Sequence, residues 1–194
     1  MTLVLATALT GCLSRPTLAK RSFALQSPLI TGPAVDGGVG TLAARLVAVA
    51  PPFDGKALVY RTGENEYERD PYAELVVAPD RALAMPIRAR LRNAGVFANV
   101  IEPGSALTPD RTLEGYVTEF YGDFRKPEAP AAVLSLRFVL LRREGDRSAS
   151  VILQKDYSRR VPLSDRTATA LVAGWDRALD EILTELVSDL KAVR

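Results

Sequence analysis

The most reactive side chain in this 194-residue chain is its single cysteine, Cys12. A cysteine acts as a nucleophile when a neighbouring base or cation lowers the pKa of its thiol. The sequence contains no histidine that would serve as this base. One cysteine also cannot form a disulfide bond within its own chain. Two interpretations remain, a small apolar residue in a buried helix and a site of covalent modification.

The residues around Cys12 favour modification. Leu9-Thr10-Gly11-Cys12 ends a short apolar run and places a small residue directly before the cysteine. This pattern is similar to the lipobox of bacterial lipoproteins, in which the signal is cut before a cysteine that then carries lipid. We therefore expect residues 1–11 to be a removed signal peptide. This stretch lacks the basic start of a secretory signal, so either the true start lies upstream or the signal is weak.

A lipid on Cys12 would attach the protein to a membrane. One acyl chain gives only marginal binding, at about 0.8 kcal/mol for each buried methylene, but a lipoprotein cysteine normally carries three chains. No other stretch approaches the roughly 20 apolar residues of a spanning helix. Residues 12–21 are expected to be a flexible lipidated tether, and residues 22–194 a single domain. Leu13 stands where an aspartate would commonly signal inner-membrane retention, which favours the periplasmic face of the outer membrane.

Groups that could carry out catalysis are scarce. Without histidine the chain has no usual catalytic triad, no imidazole metal ligand and no proton shuttle near neutral pH. Its glycines lack the patterns that bind dinucleotides or phosphates. The candidate acid–base carboxylates are Asp70, Glu102, Glu119 and Asp123, but their spacing selects no pair. The sequence therefore predicts a protein that is not an enzyme and that has no cofactor or metal.

Composition also limits the partners. Lys and Arg total 25 against 23 Asp and Glu, so no strong positive field attracts nucleic acid. Hydrophobic residues make up 47% of the chain, a balance typical of a globular domain with a core.

Two helices and several strands are predicted to position the remaining groups. Leu83, Ile87 and Leu91 share one face of a helix between Pro79 and Ala94. Pro86 inside that helix predicts either a kink or a later start. The strands are predicted at 22–26, 45–50, 56–62, 66–69 (a short edge strand), 96–101, 111–120, 134–140 and 148–161. The last two are expected to pair as a hairpin, because apolar and polar residues alternate in the first of them and a glycine turn separates the two.

A second helix, capped by Ser164, is predicted at the C-terminus. Its apolar stripe comprises Leu171, Trp175, Leu179, Ile182, Leu186 and Leu190. This pattern places Trp175 in the core. The fold class is therefore α+β, in which a mixed, largely antiparallel sheet is covered by two main helices in a two-layer sandwich.

The ordered set of segments resembles the ABC-type transport auxiliary lipoprotein family, the PqiC-like lipoproteins. After the cysteine and the strand at 22–25, the resemblance continues through residues 57–79, 91–101 and 113–124 and then a hairpin and a helix. The family patterns LVYR and DPY correspond to residues 58–61 and 70–72. Many relatives have Trp-Ala-Glu-Pro shortly afterwards, but this chain lacks the tryptophan.

The resemblance implies a role in moving lipids between the two membranes of a Gram-negative envelope. Such proteins are docking components that work with an MCE-domain protein and an ABC permease and ATPase. Tyr60, Arg61 and Tyr72 are then expected near an interface with the MCE protein or with another copy of the chain, a possible homo-oligomer. Two alternatives remain: these residues serve only local packing, or the protein is a periplasmic lipid carrier with its own acyl cavity.

Overall fold

A computed structural model of the protein describes residues 19–26, 38–145 and 148–193. In these residues the chain forms eight strands and two helices. In chain order they are β1 (Arg21–Phe23), β2 (Thr41–Val49), β3 (Ala57–Arg61), β4 (Tyr67–Leu75), α1 (Pro79–Asn93), β5 (Asn99–Ile101), β6 (Arg111–Asp123), β7 (Ala131–Glu144), β8 (Ser148–Pro162) and α2 (Ala168–Ala192). The predicted signal peptide and Cys12 lie outside the described residues.

The long strand β6 has hydrogen-bonded neighbours on both edges. One edge pairs with β7 along its whole length, from Arg111 to Asp123. The other edge pairs with β2 as far as Val117 and with β3 at Gly122 and Asp123. Beyond β2 lies β5, beyond β3 lie β4 and then β1, and β8 pairs with β7. The sheet therefore divides into two branches on one side of β6.

The prediction of a largely antiparallel sheet is wrong. Four of the seven pairings in the described part of the chain are parallel, namely β1 with β4, β2 with β5, β2 with β6 and β3 with β6. Alternating burial has the same period in both kinds of sheet, so it does not report strand direction. The predicted β7–β8 hairpin is confirmed, and it is antiparallel from Ala131–Pro162 to Glu144–Ser148.

Two strands are longer than predicted. β2 begins at Thr41, four residues before the predicted start at residue 45. β4 continues through Asp70-Pro71 to Leu75 and is covered on its outer side by β1, so it is not an edge strand. A register shift between Ala57 and Val59 accommodates the extra residues of β4, and sequence periodicity does not reveal such a bulge.

The helix termini also refine the sequence analysis. α1 begins at Pro79 and includes Pro86, so the alternative of a start near Pro86 is wrong. The cap of α2 is Thr167, whose hydroxyl accepts the backbone N–H of Ala170, and not Ser164. Asp165 accepts the backbone N–H of Thr167 at 2.8 Å, which fixes the turn before the helix. No helix of the described residues has the length and apolar character needed to span a membrane.

α2 fills the interior against one face of the sheet. The whole predicted stripe is buried, and Trp175 is only 1% exposed. The Trp175 ring stacks on Phe120 with centroids 4.0 Å apart, and its Nε1 donates to the Val133 carbonyl at 3.2 Å. A Cβ on Gly174 would lie 2.7 Å from the Cβ of Ala132, so the helix backbone lies very close to β7. The prediction that Trp175 belongs to the core is confirmed.

α1 covers the neighbouring part of the same face. Its buried residues include Leu83, Ile87 and Leu91, which confirms the predicted apolar face. The two helices are joined by Arg90, which pairs with Asp180 at 3.1 Å and donates to the hydroxyl of Thr184 at 2.5 Å.

Trp175→Ala should lower the free energy of unfolding by about 3–5 kcal/mol, because it removes a fully buried ring and leaves a cavity. Trp175→Phe is the matched control, since it keeps an aromatic ring against Phe120 and loses only part of the volume and one hydrogen bond. Urea denaturation measures both. A loss of only a few tenths of a kcal/mol in the alanine variant would contradict the assignment of Trp175 to the core.

Candidate interaction surface

The sheet face opposite the helices is called the open face. Along β7, Leu134, Leu136 and Phe138 point to the helices and are buried. The alternate residues of β7 point to the open face, because successive side chains of a strand lie on opposite sides. Arg137 on this face is in register with Tyr116 of β6 and Asp156 of β8, so the register identifies the open-face residues of the neighbouring strands.

Part of the open face is covered by the loop between β2 and β3. Phe53 of this loop is buried and packs against Tyr121 and Tyr67, with ring centroids 5.8 and 5.9 Å away. Arg69 donates to the carbonyl of Pro52 at 2.8 Å and holds the loop against β4. A small second core therefore lies beneath this loop.

The remainder of the open face has an exposed apolar surface. Leu46 is 50% exposed, Tyr116 41% and Val151 57%, and Val139 and Leu141 are half-buried. These five residues are called the open-face patch, and the groove beside them has a volume of about 330 Å³. Its lining comprises Arg45, Leu46, Ala48, Glu114, Gly115, Tyr116, Arg137 and Val139.

Local features of the strands create this patch. The register of β2 against β6 shifts between Ala44 and Val47, and this bulge brings Leu46 to the surface. Gly115 has no Cβ, and a Cβ there would lie 3.2 Å from Phe138 and 3.3 Å from Val47. Leu46 therefore projects outward while Val47 packs inside.

Ion pairs neutralise the charges around the patch. Arg45 lies 2.7 Å from Glu114, and Arg137 forms two hydrogen bonds to Asp156 at 2.7 and 3.1 Å. The hydrogen bond from Arg137 lowers the pKa of the Asp156 carboxyl below its ordinary value. An apolar centre with a paired polar rim is the usual anatomy of a protein interface.

The predicted residues Tyr60 and Tyr72 are joined through Asp70. Tyr60 lies on the helix side of β3, where its ring stacks on Phe124 at 4.9 Å and its hydroxyl donates to Asp70 Oδ2 at 2.5 Å. Burial and the Asp70 carboxylate raise the pKa of the Tyr60 hydroxyl. The other oxygen of Asp70 accepts the backbone N–H groups of Tyr72 and Ala73 at 2.7 and 2.9 Å. The Tyr72 ring is 50% exposed.

Arg61 lies on the open face. Its guanidinium is 5.7 Å from the Tyr67 ring centroid and 5.9 Å from that of Tyr121, a cation–π arrangement. It donates to the Glu64 carbonyl and, at 3.4 Å, to the Tyr121 hydroxyl. The structure thus brings Tyr60 and Tyr72 together at Asp70 and separates Arg61 from them on the other side of the sheet.

The four carboxylates considered for catalysis all have nearby polar or basic partners. Asp123 is buried, and hydrogen bonds from Arg125 together with a contact to Arg160 hold its pKa well below the usual range. Glu119 accepts a hydrogen bond from Ser135 at 2.6 Å. Glu102 lies 2.7 Å from Arg92. Among the described residues, no group of His, Cys, Asp and Glu could hold a metal ion.

The open-face patch was not found from the sequence. Tyr116 and Val151 lie in predicted strands, but the sequence does not show which face of the sheet each side chain lies on, and an apolar residue is then expected to be buried. Leu46 is also apolar and would be expected in the core, but the bulge in β2 places it on the open face. Only the register of β6, β7 and β8 reveals these residues as neighbours.

These features describe an α+β domain in which two helices lie on one face of the sheet and the other face is partly open. The chain belongs to the family of ABC-type transport auxiliary lipoprotein components, whose family model matches residues 14–187. It is therefore an auxiliary lipoprotein component of an ABC-type transport system, which confirms the resemblance described above, and members of such a family are held at a membrane by lipid.

Solved structures show the same fold. A DUF330-family protein from Xanthomonas campestris has a TM-score of 0.75 at 21% identity, covering 89% of this chain and 96% of its own. A second, uncharacterised protein has a TM-score of 0.69 at 17% identity, with 89% and 99% covered. A hypothetical protein from Chlamydia trachomatis has a TM-score of 0.54 at 14% identity, with 80% and 99% covered. No curated protein sequence matches the chain.

Asp70→Ala should lower the free energy of unfolding by about 2 kcal/mol or more, because it leaves the half-buried Tyr60 hydroxyl and two backbone N–H groups without their acceptor. Glu68→Ala is the control, since Glu68 is an exposed carboxylate on the same strand and should change stability by less than about 0.5 kcal/mol. Thermal and urea unfolding measure both variants. Equal stabilities would show that Asp70 does not organise β4.

Proposed function

We propose that this protein is a non-enzymatic docking component of an MCE-type ABC lipid transport system, anchored to the periplasmic face of the outer membrane. The observation that carries the proposal is the open-face patch, an apolar surface on a domain whose two helices lie on the opposite face of the sheet. The partners in this proposal are the MCE-domain protein and, through it, the ABC permease and ATPase.

The packing of the interior favours docking over lipid carriage. A carrier needs an apolar cavity of several hundred cubic ångströms to enclose an acyl chain. Between the helices and the sheet, Leu134, Leu140, Leu179 and Ile182 are each fully buried, and Trp175 occupies the centre. The groove on the open face is open to solvent and is bordered by ion pairs, so it suits a protein surface better than an acyl chain.

The contacts of the candidate carboxylates argue against catalysis. A general acid or base must be free to exchange a proton with a substrate. Asp123 is instead buried between two arginines, and Asp70 holds a strand bulge through both of its oxygens. These carboxylates have structural partners that account for their positions.

Cys12 is the proposed attachment site. In this proposal the signal at residues 1–11 is removed, the cysteine is acylated, and Leu13 allows transfer to the outer membrane. The family match begins at residue 14, two residues after the proposed anchor.

Cys12→Ser should abolish incorporation of labelled palmitate and should leave either an uncleaved protein or a soluble periplasmic one, because the serine hydroxyl cannot form the lipoprotein thioether. The control is Ser14→Ala, which changes a neighbouring hydroxyl and leaves the cysteine intact. Labelling and envelope fractionation measure both variants, and the acylated protein should be found with the outer membrane. Palmitate labelling that survives in Cys12→Ser would contradict the anchor.

Leu46→Asp combined with Tyr116→Asp should abolish capture of the MCE-domain protein of the same system, because two charges in the centre of the patch would have to lose water on binding. Met85→Asp is the matched control, since Met85 is 68% exposed but lies on α1, on the covered side. A pull-down with purified proteins measures capture, and unfolding curves verify that all variants fold. Wild-type capture by the double variant would exclude the patch.

The predicted interface residues are tested in the same assay. Arg61→Glu removes a cation on the open face, and Tyr72→Ala removes an exposed ring at the β4 bulge. If both variants fold normally and capture the partner at the wild-type level, these residues have only a structural role. Tyr60 contributes in this proposal by holding Asp70 and the bulge, since its own hydroxyl is engaged inside the domain.

A further inference from the structure

The direction in which the chain enters the domain identifies one end of the sheet. β1 runs parallel to β4, β4 antiparallel to β3, and β3 parallel to β6. The N-terminal end of β1 therefore points toward the end of the sheet where β6 finishes at Asp123. The residues before β1 leave the domain in this direction.

Two loops lie at the same end. The loop 124–130 follows β6, and the loop 163–167 precedes α2. They are joined by a hydrogen bond from the N–H of Leu163 to the carbonyl of Pro130, at 2.9 Å. Arg21 at the start of β1 donates to the hydroxyl of Thr169 in α2 at 3.0 Å, which places β1 beside these loops. These two loops together with Lys20, Arg21 and Arg177, which donates to the carbonyl of Pro162 beside the second loop, are called the anchor end.

The first residues of the domain are held firmly to its body. Lys20 pairs with Glu74 at 2.6 Å, and the backbone N–H of Gln26 donates to Asp176 at 2.8 Å. Between them, Phe23 is hydrogen-bonded to Val76 through its carbonyl. Cys12 and Arg21 are nine residue steps apart, a distance of at most about 30 Å when the chain is extended. A lipid on Cys12 would therefore keep the anchor end near the bilayer.

Several arginines at this end are not paired with acids. The Arg21 guanidinium contacts the Thr169 hydroxyl and the Phe23 ring, and Arg166 lies over the Phe124 ring at 5.0 Å. Arg177 donates to the carbonyl of Pro162 at 3.1 Å. None of the three forms an ion pair with a carboxylate of the described residues.

The other charges around this end nearly balance. Arg125 and Arg160 share the single carboxylate of Asp123, and Lys126 adds a further exposed cation. The other acids nearby are Glu128 and Asp165 in the two loops, Glu64 and Glu66 in the β3–β4 turn, and Glu74 and Asp176, which contact Lys20 and the backbone of Gln26. The positive character of this end therefore lies in the three arginines that have no carboxylate partner among the described residues, and not in an excess of cations.

We propose that the anchor end is a lipid-facing surface on which Arg21, Arg166 and Arg177 bind the phosphates of anionic phospholipid headgroups. Arginine suits this role because its planar guanidinium can donate two hydrogen bonds to one phosphate. The inference rests on the proposed lipid anchor at Cys12, which would bring the headgroups within reach. With this end at the bilayer, the opposite end, where the β7–β8 hairpin turns, points away from the membrane.

The first experiment removes the acyl chains so that the surface is tested alone. The mature chain, residues 12–194 with Cys12→Ser, is mixed with vesicles of phosphatidylcholine, with or without about 30% of the anionic lipid phosphatidylglycerol, and binding is measured by co-sedimentation. A cation near an anionic membrane surface contributes about 1 kcal/mol to binding. Binding should be much stronger to the anionic vesicles and should weaken with salt. Arg21→Gln combined with Arg166→Gln should reduce it about 30-fold.

The matched control for this pair is Arg45→Gln combined with Arg142→Gln. It removes the same net charge from the β2–β6–β7 region, where both arginines lie beside carboxylates, and should change binding less than about twofold. Equal binding to neutral and anionic vesicles would overturn the proposal. An equal loss in the control pair would also overturn it, because binding would then follow net charge alone.

The second experiment measures orientation in the acylated protein. Lys126→Cys and Ser148→Cys place a fluorophore at the anchor end and at the β7–β8 hairpin, and the acylated Cys12 does not react with the label. Headgroup-attached quenchers should quench the label at position 126 strongly and the label at position 148 weakly. Equal or reversed quenching would overturn the orientation. Failure of the Cys12 anchor is distinguishable, because it abolishes palmitate labelling and leaves the vesicle binding of the unacylated chain unchanged.

Discussion

The fold depends on β6, a single strand that supports both branches of the sheet. β7 occupies one edge of β6, and β2 and β3 divide the other edge between them. The loop between β2 and β3 must therefore leave the sheet plane, and it folds over the open face with Phe53 as its buried anchor. Because both helices lie on the opposite face, no other element of the described residues covers the rest of the open face.

The covered face and the open face have different roles in the proposed function. α2 lies so close to β7 that only glycine fits at position 174, and Trp175 fills the space above Phe120. Such an interior leaves little room for a lipid. The protein would therefore act through its surface and not through an internal cavity. On this surface the open-face patch combines exposed apolar side chains with ion pairs that leave little net charge. The auxiliary role of the family agrees with a domain that binds other components.

Periodicity and motifs predicted much of the fold. The β7–β8 hairpin, the apolar face of α1 and the apolar stripe of α2 were all predicted from the sequence, because each buries one continuous set of side chains. Strand direction could not be predicted, since the side chains of a parallel strand alternate with the same two-residue period as those of an antiparallel strand. The open-face patch was missed because Leu46 lies in a bulge and because Tyr116 and Val151 become neighbours only through register. Tyr60 was proposed for an interface, yet its hydroxyl holds Asp70 inside the domain.

In the proposed function the open face, and not the helix side, contacts the transport partner. Hydroxyl-radical footprinting with and without the MCE-domain protein tests it, because oxidation reports the solvent exposure of individual side chains. We expect the partner to suppress oxidation of Tyr116 and Leu46 and to leave oxidation of the exposed Met85 of α1 unchanged. Protection of Met85 with no change at Tyr116 would contradict the proposed open-face interface and would place the interface on the helix side.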